Sequence, residues 1–149
     1  MRWNELQNET CPVARGLSVV GDRWTLLVLR DCFRGLRRFE ELHESLGITR
    51  HVLSDRLKGL EAAGVLERRQ YSDAPPRHEY RLTDKGRDLY PVLIALIRWG
   101  ETHQPRADVP DFTFRDRDTG AVIEPVLTDR RSGREIDPRQ VSASREDTG

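Results

Sequence analysis

Thr49, Arg50, His51, Ser54 and Lys58 are the side chains of this sequence best suited to read a surface of hydrogen-bond donors and acceptors. At about 100° per residue Arg50, His51, Ser54 and Lys58 cluster on one side of a helix running from Arg50 to about Ala63, with Leu53, Leu57 and Leu60 as an apolar stripe on the other and Thr49 just ahead of the first turn. Taken alone, that is an ordinary amphipathic helix with a solvated polar face. Its context adds chemistry. Phe39 to Leu46 is a two-turn amphipathic helix carrying Phe39, Leu42 and Leu46, Gly47-Ile48 makes a tight turn, and Thr49 caps the next helix. Two short helices joined by a glycine turn describe a helix-turn-helix, whose second helix offers its N-terminal polar residues to the major groove of duplex DNA.

After Gly64 the period changes from helical to extended. Val65–Tyr71 and Glu79–Leu82 flank Ser72–His78, a loop stiffened by two prolines, so a two-stranded ribbon with a basic tip follows the second helix. This is the wing of a winged helix. Arg77 at the tip could enter a minor groove, where negative potential attracts arginine, and Arg69 is a second candidate DNA contact. The alternative for Arg68, Arg69 and Arg77 is solubility, because Glu67, Asp73 and Glu79 stand close enough to neutralise them.

Other chemistries find little support. His43, His51, His78 and His103 fall on four different elements, no Ser or Cys sits in a nucleophile motif, and no glycine-rich phosphate loop occurs. An enzyme is therefore not expected, nor a cofactor. The two cysteines, Cys11 and Cys32, form no Cys-x-x-Cys pair and no disulfide framework, which suits a reducing cytoplasm. Cys11 stands before a helix opened by Pro12, where exposed N–H groups favour a thiolate and so a thiol sensor. Simple packing is the alternative, and Cys32 lies mid-helix in a segment expected to be buried.

These residues need a scaffold, and 149 residues suffice for one domain plus an appendage, with roughly two-thirds of the unfolded surface buried. Hydrophobic residues make up 36% and charged residues 34%, which implies a wet-surfaced helical chain or a partly disordered one. The longest apolar run, Val92 to Ile97, is too short to span a membrane, so a cytoplasmic protein is expected. Lys+Arg and Asp+Glu balance at 25 each, removing net positive charge as an argument for a nucleic-acid partner. Residues 1–104 hold 17 basic and 15 acidic side chains and residues 105–149 hold 8 and 10, so the sign favours the first segment.

Within that segment Val13, Leu17 and Val20 mark a first helix, and Asp22 caps a second from Arg23 to about Phe33, apolar nearly all round through Trp24–Leu29. Thr83 caps a long final helix, Asp84 to about His103, kinked or restarted at Pro91, with Leu89, Val92, Leu93, Leu96 and Trp99 on its apolar side. So long a stripe on so small a domain calls for a second subunit. The fold class is mainly α with a β-hairpin wing, a winged helix-turn-helix, plus a small C-terminal β-ribbon appendage. The expected divisions are 1–104 for DNA binding and dimerisation, 105–141 for the ribbon and 142–149 for a disordered tail.

Several ordered blocks carry a family likeness: Cys11-Pro-Val-Ala-Arg15, Gly21-Asp-Arg-Trp-Thr-Leu-Leu-Val-Leu-Arg30, Arg38-Phe-Glu-Glu-Leu42, Val52-Leu-Ser-Asp-Arg-Leu57, Leu60-Glu-Ala-Ala-Gly64, Pro75-Pro-Arg77, Glu79-Tyr-Arg-Leu-Thr83 and Trp99-Gly100. Over residues 11–103 the chain resembles the HxlR-type regulators, winged helices related to the MarR group. The resemblance implies a cytoplasmic transcriptional regulator that binds double-stranded DNA as a homodimer through the first and last helices of the winged domain, on a pseudo-palindromic operator. It places base reading on Thr49, Arg50, His51 and Ser54, and it implies responsiveness to a small-molecule effector or, at Cys11, to oxidants and electrophiles. Family members often carry Ser-Pro-Arg or Ser-Pro-Lys where this chain has Thr49-Arg50-His51, which implies a different operator. A winged helix used only for protein contact is the alternative function.

Residues 105–149 contain a repeat. Asp116-Arg-Asp-Thr-Gly-Ala-Val-Ile-Glu-Pro125 and Asp129-Arg-Arg-Ser-Gly-Arg-Glu-Ile-Asp-Pro138 predict two units of a glycine turn followed by a short strand, with Phe112–Phe114 as a further strand. The segment resembles a zinc ribbon that lacks its Cys ligands. Asp116, Thr119, Asp129 and Ser132 occupy the turn positions, and two carboxylates with two hydroxyls would hold zinc poorly, so no metal is expected. Effector binding, dimer support and packing remain open as its role.

Overall fold

A computed structural model describes residues 2–144. The chain divides into two compact units, with the division between Arg98 and Trp99. The first begins with a 3-10 helix, Trp3–Asn8, followed by α1 (Pro12–Val20), α2 (Thr25–Phe33), α3 (Phe39–Leu46), α4 (Arg50–Ala62), β1 (Leu66–Asp73), β2 (Pro76–Leu82), α5 (Asp84–Arg87) and the start of α6 (Tyr90–His103), within which the division falls. The order of elements is that of a winged helix-turn-helix, as the sequence predicts.

Local chemistry sets the ends of these elements. Asp22 does cap α2, but from further out than expected. Its Oδ1 accepts from the N–H groups of Trp24 (2.8 Å) and Thr25 (3.0 Å), and its Oδ2 accepts from the Thr25 hydroxyl, so residues 22–24 form a turn and the helix starts at Thr25. The Glu41 carboxylate accepts from the N–H groups of Arg37 and Arg38 ahead of α3. Gly47 then ends α3 at φ 62°, a left-handed conformation that costs glycine nothing, and turns the chain toward α4. The Thr49 hydroxyl accepts from the Val52 N–H at 3.3 Å, capping α4 as its position predicts.

One core joins α2, α3 and α4 to the base of the hairpin: Val28, Leu29, Leu42, Ile48, Leu53, Leu57, Leu60, Val65, Leu66 and Leu93 are all buried. The burial that the apolar stretch Trp24–Leu29 implies for α2 is corrected at Leu27, which is exposed, and beyond that stretch the charged Asp31 is fully buried. Burial raises the Asp31 carboxyl, but hydrogen bonds from Arg30 and Ser45 and the charges of Arg30 and Arg34 outweigh it and hold it below the usual carboxylate range. Its Oδ1 takes Arg30 Nε at 2.9 Å and Arg34 Nη1 at 3.2 Å.

The hairpin is tighter than the sequence suggests. β1 and β2 pair antiparallel from Leu66 opposite Leu82 to Asp73 opposite Pro76, so the tip shrinks to Ala74 and Pro75, joined by a cis bond. Pro76 can stand in the ladder because it is at a strand end, where a missing N–H is tolerated. The register shifts between Gln70 and Ser72, a bulge at Tyr71. Tyr80 N–H also donates to Arg37 O at 2.7 Å, tying β2 to the stretch before α3.

The expected long last helix is two helices. Pro91 is the second residue of α6 rather than an interior residue, a position where its missing N–H costs nothing, and Asp88-Leu89 separate α6 from α5. Gly86 in α5 is required by a close approach: a Cβ there would lie 2.2 Å from the Val65 carbonyl oxygen.

In the second unit, β3 (Phe114–Arg115) pairs antiparallel with β4 (Val122–Ile123), and Thr128 bridges Glu135. The two repeats fold alike. Asp116 Oδ1 accepts from the N–H groups of Asp118 and Thr119 and from the Thr119 hydroxyl. Asp129 does the same for Arg131, Ser132 and the Ser132 hydroxyl. Gly120 and Gly133 follow at φ 71° and 69°. The strand expected over Phe112–Phe114 is confined to Phe114. Of the tail expected to be disordered, residues 142–144 form no regular element and 145–149 lie outside the described residues.

Two glycine substitutions should move stability in opposite directions. Gly86→Ala must push the Val65 backbone aside and is expected to cost about 1–3 kcal/mol. Gly59→Ala, inside α4 with nothing within 4 Å of its added methyl, is expected to gain about 0.4–1 kcal/mol. Urea unfolding midpoints check both.

Candidate nucleic-acid interface

The leucine stripe of α4 fixes what the helix shows to solvent. Leu53, Leu57 and Leu60 are at most 1% exposed, which leaves Thr49, Arg50, His51 and Lys58 on the open side and Ser54 half-buried beside them. Four of the five residues selected from the sequence therefore lie on the outward side of α4, and Thr49 stands at its N-cap. Their states differ. Thr49 is spent on the cap. His51 Nε2 lies 3.5 Å from Asp55 Oδ2 one turn on, while Lys58 has no ion-pair partner among the described residues.

Arg50 is held most firmly, by a partner that sequence reasoning missed. Its Nη1 and Nη2 donate to Glu40 Oε1 (2.7 Å) and Oε2 (2.8 Å) in a parallel fork, and its guanidinium carbon lies 5.6 Å from the centre of the Phe39 ring. Glu40 is lowered from its ordinary carboxylate value first by the hydrogen bond from Arg50 and then by the charges of Arg50 and His43, and Arg50 is raised by the same pair. Ten residues separate the partners, a spacing that no helical periodicity flags.

On the wing, Arg69 pairs with Glu67 at 2.5 Å, the neutralisation that the nearby acids suggested. Arg68 Nη2 lies 3.2 Å from His78 Nδ1 across the ladder. Arg77 stands opposite Ser72 near the tip, exposed and without an ion pair among the described residues. Arg38 lies over the Tyr71 ring at 4.6 Å, a cation–π contact between the start of α3 and the bulged strand. Lys58 on α4 and Arg77 on β2 are thus cations without an ion pair among the described residues, and Arg50 is a paired one.

The cysteines differ as their places suggest. Cys11 is exposed at the N-cap of α1, and Arg15 on the next turn donates to Glu9 O and Thr10 O just before it. Cys32 is buried in α2, where burial first and the Asp31 charge second push its thiol up to about 12. The ribbon turns do not fit a zinc ion, because their carboxylates already accept hydrogen bonds inside their own turns. Among the described residues no cluster of three His, Cys, Asp or Glu could hold a metal. Nor is any helix there long and apolar enough to cross a membrane.

A family model described as HxlR-like helix-turn-helix matches residues 19–108. Over 130 residues the chain is 45% identical to an uncharacterized HTH-type transcriptional regulator of Mycobacterium tuberculosis, a match covering 87% of this chain and 82% of the relative. The crystal structure of PA1607, a candidate transcription factor, matches with a TM-score of 0.84 at 36% identity, covering 94% of this chain and 98% of that one. The redox regulator HypR in its reduced form matches at a TM-score of 0.60 and 35% identity, covering 63% of this chain and 94% of that one.

Alkylation should separate the two thiols. Iodoacetamide at mildly alkaline pH is expected to modify Cys11 in the folded protein and Cys32 only after unfolding, since Cys32 is both enclosed and protonated there. Mass spectrometry of the adducts checks this, and labelling of both at similar rates would contradict it.

Proposed function

The chain belongs to the HxlR-like helix-turn-helix family of DNA-binding transcriptional regulators, and from that premise we propose that it acts as a homodimer on a pseudo-palindromic operator. In this reading α4 lies in the major groove, with Thr49, Arg50, His51 and Ser54 toward the bases and Lys58 toward phosphate. The β1–β2 wing lies alongside, with Arg77 at the minor groove and Arg69 as an auxiliary contact. The observation that carries the reading is the rotation of α4: its apolar stripe is buried and its N-terminal polar surface is open.

Dimerisation through the first and last helices of the winged domain is supported by the apolar side chains those helices leave uncovered. Val13 and Leu17 on α1 and Val92 and Leu96 on α6 are exposed, 67% and 50% for Val13 and Leu96. Several exposed apolar side chains on each of two helices support an association surface there. A dimer also meets a demand of recognition, because one helix reads few base pairs and two related by a two-fold reach successive major grooves.

Responsiveness at Cys11 is the finer part of the reading. The likeness to a solved redox regulator supports it, together with the exposure of Cys11 at the start of α1. Modification there would bias the seating of α1 against α6 and so the separation of the two copies of α4. A small-molecule effector acting on the same separation is the alternative input.

Footprinting on the chain's own upstream region should reveal two inverted half-sites with centres about 34–36 Å apart. Sedimentation should give a dimer at micromolar concentration. A single unrepeated site or a monomer would sink the symmetric reading, and no duplex binding at low salt would favour a protein-contact module instead.

The roles assigned to the cations predict different kinds of loss. Arg50→Ala should relax discrimination between operator variants by about 1–3 kcal/mol. Lys58→Ala and Arg77→Ala should weaken operator and random duplex alike and reduce the salt slope by about 1 each. If Arg50→Ala instead lowers affinity for both duplexes equally, Arg50 is a phosphate contact.

A further inference from the structure

The Glu40–Arg50 pair needs an explanation that stability does not supply. Both side chains are exposed, 69% and 61%, and exposed ion pairs add little to folding. Yet this one is bidentate, it spans the two helices of the helix-turn-helix, and the guanidinium also lies over Phe39. Phe39 and Glu40 are the first two residues of α3, so one helix end grips Arg50 from two sides.

The geometry of the fork decides what remains available. Arginine has an end-on face formed by its two Nη atoms and a side-on edge formed by Nε and the outer hydrogen of Nη2. Glu40 occupies the end-on face. The side-on edge of Arg50 meets no hydrogen-bond acceptor among the described residues, and such an edge can donate two parallel bonds to O6 and N7 of a guanine. A free arginine must give up much rotamer freedom to make that contact, and a guanidinium already held in place gives up less. The carboxylate also cancels the charge that an unpartnered Arg50 would bring to any phosphate, so it suppresses the sequence-independent part of binding.

Resting on the DNA-binding reading above, we propose that Glu40 is a specificity-positioning residue. It holds the Arg50 guanidinium against Phe39 so that the side-on edge faces a guanine, and it keeps Arg50 from acting as a general phosphate contact. Glu40 thereby sets discrimination without being a base contact itself.

The test uses the full-length dimer, a duplex selected by it from a random pool, and an unrelated duplex of equal length, with affinities measured across a salt series. Glu40→Gln should bind the unrelated duplex more tightly, with a salt slope steeper by about 1. It should also lose about tenfold in discrimination. Glu40→Asp keeps the charge but cannot reach with the same fork, so it should lose discrimination without the steeper slope. Glu44→Gln removes an equal charge from the exposed side of α3 without touching Arg50, and should leave discrimination unchanged. In an Arg50→Ala background, Glu40→Gln should have no further effect on discrimination. Thermal unfolding verifies that each variant is folded, and Glu40→Asp carries the test if Glu40→Gln is not.

Equal behaviour of Glu40→Gln and Glu44→Gln, or a loss of discrimination that persists in the Arg50→Ala background, overturns the proposal while leaving the DNA-binding reading intact. A native chain that selects no duplex from the pool overturns both.

Discussion

The burial of Leu53, Leu57 and Leu60 in the core they share with α2, α3 and the base of the hairpin is the constraint on which the rest of the molecule depends. A fully buried leucine contributes about 1.5–3 kcal/mol, so three in one stripe hold α4 at a single rotation about its axis. Rotating the helix by even one residue position would expose part of that stripe and carry Arg50 and Lys58 to different bearings. The neighbouring devices serve the same end. Gly47 aims the chain into α4, Thr49 fixes its first turn, and Lys85 Nζ donates to Ala63 O at its far end at 2.7 Å. Val65 and Leu66 then anchor the wing in the core that holds the stripe, and Gly86 allows α5 to approach the Val65 carbonyl closely. The open side of α4 and the wing are therefore positioned by one packed unit.

Electrostatics at the surface follows from pairing more than from composition. The chain has no net charge, and several arginines of the first unit are answered close by: Arg30 and Arg34 by buried Asp31, Arg56 by Asp22, Arg69 by Glu67 and Arg81 by Glu79. The side chains of Lys58 and Arg77, like those of Arg23 and Arg37, meet no carboxylate among the described residues, and Lys58 and Arg77 lie on α4 and on the hairpin that follows it. In a neutral protein, steering toward a polyanion depends on where such cations stand and not on the net charge.

The fold was largely legible because its signals are local. Glycine turns, threonine caps and a repeated leucine spacing each act within a few residues, and α3, α4 and the hairpin follow from them with small shifts at the ends. What escaped is non-local. Leu27 is exposed and Asp31 enclosed because of what surrounds α2, not because of the order of residues in it. The hairpin pairs further toward its tip than its prolines suggested, since the ladder needs no N–H from Pro76 at its end. The candidate surface was likewise found residue by residue, but the state of Arg50 was not, because Glu40 reaches it across a turn whose shape only folding supplies.

The repeated turns of the second unit carry the same distinction between type and arrangement. A glycine-closed turn leaves two or three N–H groups converging on its first side chain, and in a metal-binding knuckle a thiolate would accept them while also binding the ion. Here Asp116 and Asp129 accept those donors as carboxylates, and the hydroxyls of Thr119 and Ser132 complete the ring. The backbone N–H groups lower the pKa of each carboxyl together with the hydroxyl, so the charged form that closes the turn is itself favoured. A turn satisfied from within needs no ion to hold its shape.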